Sequence, residues 1–175
     1  MEDMDHRDED LQFMKVALAE ARKGLGRTSP NPAVGAAVVR EGRILATGYH
    51  RGPGLPHAEA EALSKLNWDA RGSTLYVTLE PCHHHGRTPP CTGVILRSGV
   101  KRVVAGMKDP NPHVEGGGCA FLEDKGVHVT TGVLSDACAR LNEDFITLVT
   151  RRRPFVTAKS ALTLDGWAAT AKGDS

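Results

Sequence analysis

The sequence predicts an α/β protein, built as a three-layer α/β/α sandwich around a mixed sheet of about five strands. Short runs rich in β-forming residues alternate along the chain with segments whose apolar residues recur at helical spacing. The first two runs, 34–39 and 44–49, are separated only by Glu41-Gly42, which predicts a β-hairpin. With 175 residues, 40% of them hydrophobic, the chain can bury one sizeable core.

The remaining elements follow from the same patterns. The first helix is predicted to begin at a cap on Asp8 or Asp10 and to end at Gly24. Residues 26–32 contain two closely spaced prolines and therefore predict a loop that can carry function. Periodicity then predicts four more helices, at 57–68, 92–98, 119–125 and 135–150. Three further strands are expected at 73–79, 102–105 and 127–131.

The alternation stops at residues 151–154, Arg-Arg-Arg-Pro, which we interpret as a linker rather than a basic binding patch. Residues 155–161 are rich in β-formers and predict the first strand of a new unit. The predicted organisation is therefore one domain over residues 1–150, followed over 151–175 by a linker and the start of a second domain.

Composition limits the partners. The formal net charge is +1 and only 5% of residues are aromatic, which argues against a nucleic-acid partner and favours a small substrate. No apolar run approaches the roughly 20 residues that span a bilayer, and residues 1–10 are acidic, unlike a signal peptide. We therefore expect a cytoplasmic protein with reduced thiols, in which Cys119 and Cys138 are core residues.

One short segment concentrates the residues that bind metals. Two of the four cysteines and three of the eight histidines lie between Glu80 and Cys91. Cysteine and histidine are side chains that zinc prefers, and prolines with a glycine hold such a loop at little conformational cost. Upstream, His57-Ala58-Glu59 completes an order of His-x-Glu, Pro-Cys and Cys that resembles the zinc deaminase signature. We therefore predict a zinc site with Glu59 as general acid and base.

The identity of the third ligand depends on spacing. His57 and Cys82 supply two ligands, and Cys82 is expected to begin a short helical turn that favours its thiolate. The two-residue gap of nucleoside and nucleic-acid deaminases would place the third ligand at His85, but the next cysteine is Cys91, which we favour. A purely structural zinc site is the alternative, although such sites usually have four protein ligands. Each histidine of 83–85 can also be an ordinary solvated loop residue.

Six short motifs are distributed over nearly the whole chain, and their order and spacing are informative. They are Thr28 to Gly35, Gly48-Tyr49-His50, His57-Ala58-Glu59, Glu80-Pro81-Cys82, Thr88-Pro89-Pro90-Cys91 and Asp109-Pro110-Asn111-Pro112. On these motifs the chain resembles the deaminase half of the bifunctional riboflavin biosynthesis enzymes, which deaminate and then reduce a diaminopyrimidine ribosylamino phosphate. The eight-residue gap between the two cysteines is the most specific mark of this resemblance.

The resemblance implies a cytidine-deaminase-like fold and one zinc ion on His57, Cys82 and Cys91, with Glu59 moving protons while ammonia leaves. It also implies a homo-oligomer and a phosphorylated pyrimidine as substrate. The residues implied to contact the substrate are Asn31, His50, His84, Asp109 and Asn111, with Arg87 on its phosphate. For the asparagines and the aspartate, turn formation beside proline is the alternative explanation.

Residues 155–175 resemble the opening of the family's reductase domain, with Ala161 and Ser175 at positions that touch NADPH and substrate there. The rest of that domain is not in these 175 residues. A strand and a loop without a sheet cannot form a dinucleotide site. We therefore expect NADPH binding only with a complete reductase domain, and no reductase activity from this chain.

Two other functions remain open from the sequence. A deaminase of the same fold could act on a free base, a nucleoside or a tRNA, and it would not depend on a substrate phosphate. A zinc-stabilised regulatory module without catalysis would not depend on Glu59.

Overall fold

The computed structural model describes residues 2–84, 89–111 and 117–169, and within these ranges it contains five strands and six helices. The strands are β1 (Gly35–Arg40), β2 (Arg43–Tyr49), β3 (Thr74–Leu79), β4 (Arg102–Met107) and β5 (His128–Thr131). The helices are α1 (Glu2–Arg22), α2 (Ala58–Ser64), α3 (Cys91–Ser98), α4 (Gly118–Asp124), α5 (Ser135–Leu141) and α6 (Glu143–Arg151). No helix among the described residues is long and apolar enough to cross a membrane.

The five strands form one mixed sheet in the order β2-β1-β3-β4-β5. Strand β1 is antiparallel to both β2 and β3, whereas β3, β4 and β5 run parallel. The hairpin turn at Glu41-Gly42 has positive φ at both residues, 53° and 70°, as the short connection requires. The predicted sheet, with its hairpin and five strands, is therefore confirmed.

Helices cover both faces of the sheet and bury a core on each. Helices α2, α3 and α4 pack on one face and α1 and α5 on the other. Alternate residues of the inner strands point into the two cores, because successive side chains of a strand face opposite sides. One core receives Ala36, Val38, Leu75, Val77, Val103 and Ala105 from the strands. The other receives Ala37, Val39, Tyr76 and Val104. The three-layer α/β/α architecture is confirmed.

Three expectations about individual elements were wrong. Helix α1 already begins at Glu2, and Asp10 is buried in an ion pair with Arg102 instead of capping the helix. The helix expected over 135–150 is divided at Asn142, whose φ of −120° is not helical, because its side chain binds backbone elsewhere. No strand forms within 155–161, where the described residues are exposed and have no neighbouring strand to pair with.

The topology brings four loops to the same end of the sheet. Gly35 at the start of β1 pairs with Tyr49 at the end of β2. Because β1 and β3 are antiparallel, the end of β3 lies there too, and the Gly35 amide donates a hydrogen bond to Thr78 Oγ1 at 3.2 Å. The parallel pairing of Leu79 with Met107 adds the end of β4. The segments before β1 and after β2, β3 and β4 therefore converge.

Candidate metal centre and its cavity

Three ligand-type side chains meet at this end of the sheet. His57 precedes α2 with extended backbone, Cys82 follows β3, and Cys91 is the first residue of α3. His57 Nδ1 lies 3.5 Å from Cys82 Sγ and 3.2 Å from Cys91 Sγ, and all three ligand atoms lie within 4.8 Å of one another. Tetrahedral zinc with these ligands requires separations of about 3.5–3.8 Å between ligand atoms. One histidine and two cysteines at these distances fit a zinc ion that keeps one open position.

Two features favour thiolate at Cys82. The backbone amide of Cys91 donates a hydrogen bond to Cys82 Sγ at 3.3 Å, from the positive end of α3. The Cys91 thiol also donates a hydrogen bond to Cys82 Sγ, which lowers the pKa of Cys82. Burial acts in the opposite direction, and His57 lowers this pKa further. The same hydrogen bond, together with burial, raises the pKa of Cys91. The helical turn expected at Cys82 is not present, because this stabilisation comes from the helix that begins at Cys91 instead.

Glu59 lies in the first turn of α2, two residues after His57, and is only 3% exposed. Burial, followed by the negative charge of Cys82, raises the pKa of its carboxyl to about 7. A carboxyl that ionises near neutral pH can both accept and donate a proton under physiological conditions. The position and the raised pKa suit a general acid and base.

A cavity of about 430 Å³ opens beside this cluster. His57, Glu59 and Cys82 line it, whereas Cys91 is buried and does not line it. The five predicted substrate contacts that the structure describes also line it: Asn31, His50, His84, Asp109 and Asn111. Arg87 and Ser175 lie outside the described residues, and Ala161 is exposed in the irregular segment after α6 and does not line the cavity.

Hydrogen bonds fix the orientation of two cavity residues. His50 Nδ1 lies 3.1 Å from the carbonyl oxygen of Pro56, which can only accept, so Nδ1 carries the proton. The unprotonated Nε2 can then accept a hydrogen bond from Asn31 Nδ2 at 3.1 Å. Burial lowers the pKa of His50 and keeps the ring neutral. The carbonyl oxygen of Asn31 consequently remains available to a ligand in the cavity.

Asp109 and Asn111 combine a turn with a place in the cavity wall. The amide of Asn111 donates to Asp109 Oδ1 at 2.9 Å, which is the turn chemistry proposed as the alternative to a binding role. Both side chains nevertheless line the cavity. Burial raises the pKa of Asp109, and the nearby carboxylate of Glu80 adds to this effect.

The three consecutive histidines have different environments. His84 lines the cavity and is exposed. His83 instead stacks on Phe121, with ring centroids 3.9 Å apart, and its Nδ1 lies 3.2 Å from Thr92 Oγ1. His85 lies outside the described residues. The contacts of His83 with α3 and α4 indicate a structural role in holding the metal loop.

Some residues at the site had no assigned role in the sequence analysis, among them a carboxylate, an aromatic residue and a buried amide. Glu80 and Phe145 line the cavity, and Asn142 binds the backbone of the loop that leads into β1. Glu80 could have been suspected as a carboxylate at a strand end beside a metal ligand. A lone asparagine inside an amphipathic pattern was the available signal for Asn142. Nothing in the sequence distinguishes Phe145 from an aromatic residue of the hydrophobic core.

The chain matches a family of zinc-binding deaminases and is similar to individual proteins of riboflavin biosynthesis. Residues 7–107 match the cytidine and deoxycytidylate deaminase zinc-binding region. The riboflavin biosynthesis protein RibD of Aquifex aeolicus is 53% identical over 169 residues, which are 97% of this chain and 48% of that protein.

Two solved structures are also similar. A diaminohydroxyphosphoribosylaminopyrimidine deaminase/5-amino-6-(5-phosphoribosylamino)uracil reductase from Thermotoga maritima superposes with a TM-score of 0.91 at 52% identity, covering 97% of this chain and 49% of that one. RibD of Acinetobacter baumannii gives 0.88 at 41% identity, covering 97% and 48%. The chain thus spans about half the length of the curated relatives it matches.

Proposed function

The chain belongs to the zinc-binding family of cytidine and deoxycytidylate deaminases, and we propose that it deaminates 2,5-diamino-6-ribosylamino-4(3H)-pyrimidinone 5′-phosphate. Water replaces the ring amine, giving 5-amino-6-ribosylamino-2,4-pyrimidinedione 5′-phosphate and ammonia, an early step of riboflavin biosynthesis. The observation that carries this proposal is the meeting of His57, Cys82 and Cys91 with the buried carboxyl of Glu59 beside one cavity. The similarity to RibD proteins over almost the whole chain supports this substrate.

His57, Cys82 and Cys91 would hold one zinc ion, and zinc supplies Lewis-acid chemistry that makes water nucleophilic at neutral pH. Glu59 accepts the proton that the attacking water loses and returns it to the departing amine nitrogen. Its pKa of about 7 allows both steps without a change of pH.

Asn31, Asp109 and Asn111 would orient the base and sugar, together with His50 and His84, because these five side chains share the cavity with Glu59. Arg87 would bind the substrate phosphate. We assign residues 1–150 to the deaminase domain and 151–175 to a linker and the start of a reductase domain. The end of α6 at Arg151 and the exposure of the residues that follow support this boundary. A cytoplasmic location is also proposed, as expected from the sequence, and a homo-oligomer is proposed from the family alone.

The direct test measures ammonia release by the zinc-loaded chain from the phosphorylated diaminopyrimidine, with cytidine in parallel. Release from the first substrate alone is expected. Release from cytidine alone would identify a nucleoside deaminase instead.

The role of Arg87 is tested separately. Removal of the phosphate from the pyrimidine, or Arg87→Ala, should raise KM, and the two changes together should raise KM no further than either change alone. An Arg87→Ala variant with unchanged KM would contradict the phosphate assignment.

The Glu59→Gln variant distinguishes the proposed deaminase from a regulatory zinc module without catalysis. The proposal predicts that turnover falls by roughly 100-fold to 10,000-fold while zinc stays bound. Glu61→Gln is the matched control, because Glu61 lies on the same helix but binds Arg51 at 2.8 and 3.1 Å and does not line the cavity. Equal activity of the Glu59→Gln variant and the parent would exclude the catalytic role.

A further inference from the structure

We propose that Glu80 is a positioning residue that holds the two described ends of the β4–α4 loop (residues 108–111 and 117) in place for substrate binding. The inference rests on the proposed function, because this loop carries Asp109 and Asn111, two of the proposed substrate contacts. Glu80 itself follows β3 and stands two residues before Cys82. A fixed link between Glu80 and the loop therefore sets the distance from the metal ligand to the substrate contacts.

Glu80 binds both ends of the β4–α4 loop. Its Oε2 accepts a hydrogen bond from the Asp109 amide at 3.1 Å, where the loop leaves β4. Its Oε1 accepts one from the Cys119 amide at 3.0 Å, where the loop enters α4. The Glu80 amide also donates to the carbonyl of Met107 at 2.9 Å. One residue thus joins the end of β3, the end of β4 and the start of α4.

The bond to Cys119 replaces a missing helix cap. The first amides of a helix have no partner within the helix and need an external acceptor. The residue at the cap position of α4, Gly117, has no side chain that could provide one. The Glu80 carboxylate fills this role from a different strand, and its negative charge is favourable at the start of a helix. Loss of the carboxylate would therefore release the loop at both ends.

Two glycines allow the close approach that these bonds require. A Cβ on Gly117 would lie 2.7 Å from Glu80 Oε1, and a Cβ on Gly118 would lie 1.8 Å from the carbonyl oxygen of Pro81. Both separations are shorter than real contacts of a Cβ atom. The returning end of the loop therefore packs directly on the Glu80-Pro81 backbone and carboxylate, with no room for a side chain.

The Asp109 and Cys119 amides bond to different oxygens of Glu80, so both terminal atoms of this side chain act as acceptors. Glutamine has nearly the same shape, but one of its terminal atoms is an NH₂ group that donates and cannot accept. In Glu80→Gln, either the Asp109 or the Cys119 amide would face another donor. This substitution keeps the volume of the side chain and breaks the double contact, which makes it the sharpest available probe.

The test compares Glu80→Gln with the parent in zinc content, KM, kcat and amide hydrogen exchange. We expect about one zinc per chain in both, KM raised roughly 10-fold or more, and a smaller change in kcat. Partial unfolding would instead lower apparent kcat and leave KM unchanged. The amides of Asp109 and Cys119 should exchange roughly 10-fold faster or more, while those of β3 keep their protection. Glu123→Gln, an exposed carboxylate of α4, is the charge-matched control.

An unchanged KM together with unchanged exchange at Asp109 and Cys119 would overturn the inference. If Glu80→Gln fails to fold, Gly117→Ala displaces the same contact and should raise KM in the same way. Gly93→Ala is its control, because the nearest atom to a Cβ there is 3.5 Å away. If the parent releases no ammonia, the proposed function fails. Hydrogen exchange still decides whether Glu80 holds the loop.

Discussion

Asn142 binds both backbone polar groups of Ala33, a residue 109 positions earlier in the chain. Its Oδ1 accepts from the Ala33 amide at 2.7 Å, and its Nδ2 donates to the Ala33 carbonyl at 3.0 Å. The asparagine is 2% exposed and stands at the break between α5 and α6. The break therefore supports the loop that carries Asn31 into the cavity.

Asn142→Ala should lower the free energy of unfolding by about 2–4 kcal/mol, because it leaves the buried amide and carbonyl of Ala33 without partners. Urea denaturation measures this change. Asn142→Asp keeps an acceptor for the Ala33 amide but buries a carboxylate against the Ala33 carbonyl, so at neutral pH its loss should be at least as large. Thr150→Ala, which removes only an exposed bond to the α6 backbone, is the control. A loss below about 0.5 kcal/mol for Asn142→Ala would contradict the structural role.

The ion pair between Asp10 and Arg102 should contribute far more to stability than the similar pair between Asp69 and Arg71. Both oxygens of Asp10 bind the guanidinium at 2.7 Å, Tyr76 donates to Oδ1 at 3.0 Å, and the Asp10 side chain is 7% exposed. Asp10→Ala should cost about 3–5 kcal/mol, because it leaves a partly buried cation unpaired.

The side chains of Asp69 and Arg71 are 53% and 80% exposed, so Asp69→Ala should leave the free energy of unfolding almost unchanged. Urea unfolding of the two variants side by side measures the contrast. Equal effects of the two substitutions would show that burial does not govern these pairs.

Removal of zinc should abolish ammonia release and lower the melting temperature, because the metal binds the folded chain and links α2, α3 and the loop after β3. Chelation followed by addition of zinc tests reversibility. Cys91→Ala should reduce the zinc content from about one per chain to near zero. Cys138→Ala is the matched control, since Cys138 is fully buried away from the cavity and should leave zinc binding intact. Full zinc content in Cys91→Ala would exclude Cys91 as a ligand.

The buried thiol of Cys138 should make the free energy of unfolding depend on pH in the alkaline range. Burial raises the pKa of its thiol from the ordinary 9.0 to about 11. The folded state therefore keeps the proton at pH values where the unfolded chain loses it. The stabilisation is complete below pH 9 and declines as pH rises from 9 to 11. The difference in unfolding free energy between the parent and Cys138→Ala should shrink over this interval, as measured by urea unfolding at several pH values. A difference that is independent of pH would contradict the raised pKa.

Much of the fold could be predicted because each element has a local cause. The hairpin follows from Glu41-Gly42 between two apolar runs, and the helices and strands follow from periodicity. The break at Asn142 could not be predicted, because it depends on a contact with Ala33 that exists only after the sheet has formed. The strand expected at 155–161 did not form, because β-propensity alone does not produce a strand without a pairing partner.

The chemical types at the candidate site follow from the sequence alone. Spacing and residue type singled out His57, Glu59, Cys82 and Cys91, because metal ligation and proton transfer demand particular side chains. How these side chains meet, and which contacts hold them, depends on the packing of the folded chain. The strand order brings four loops to one end of the sheet, burial raises the pKa of Glu59, and Glu80 ties two of the loops together. These properties depend on distances between residues that are far apart in the chain, and such distances are set by packing and strand pairing rather than by local sequence.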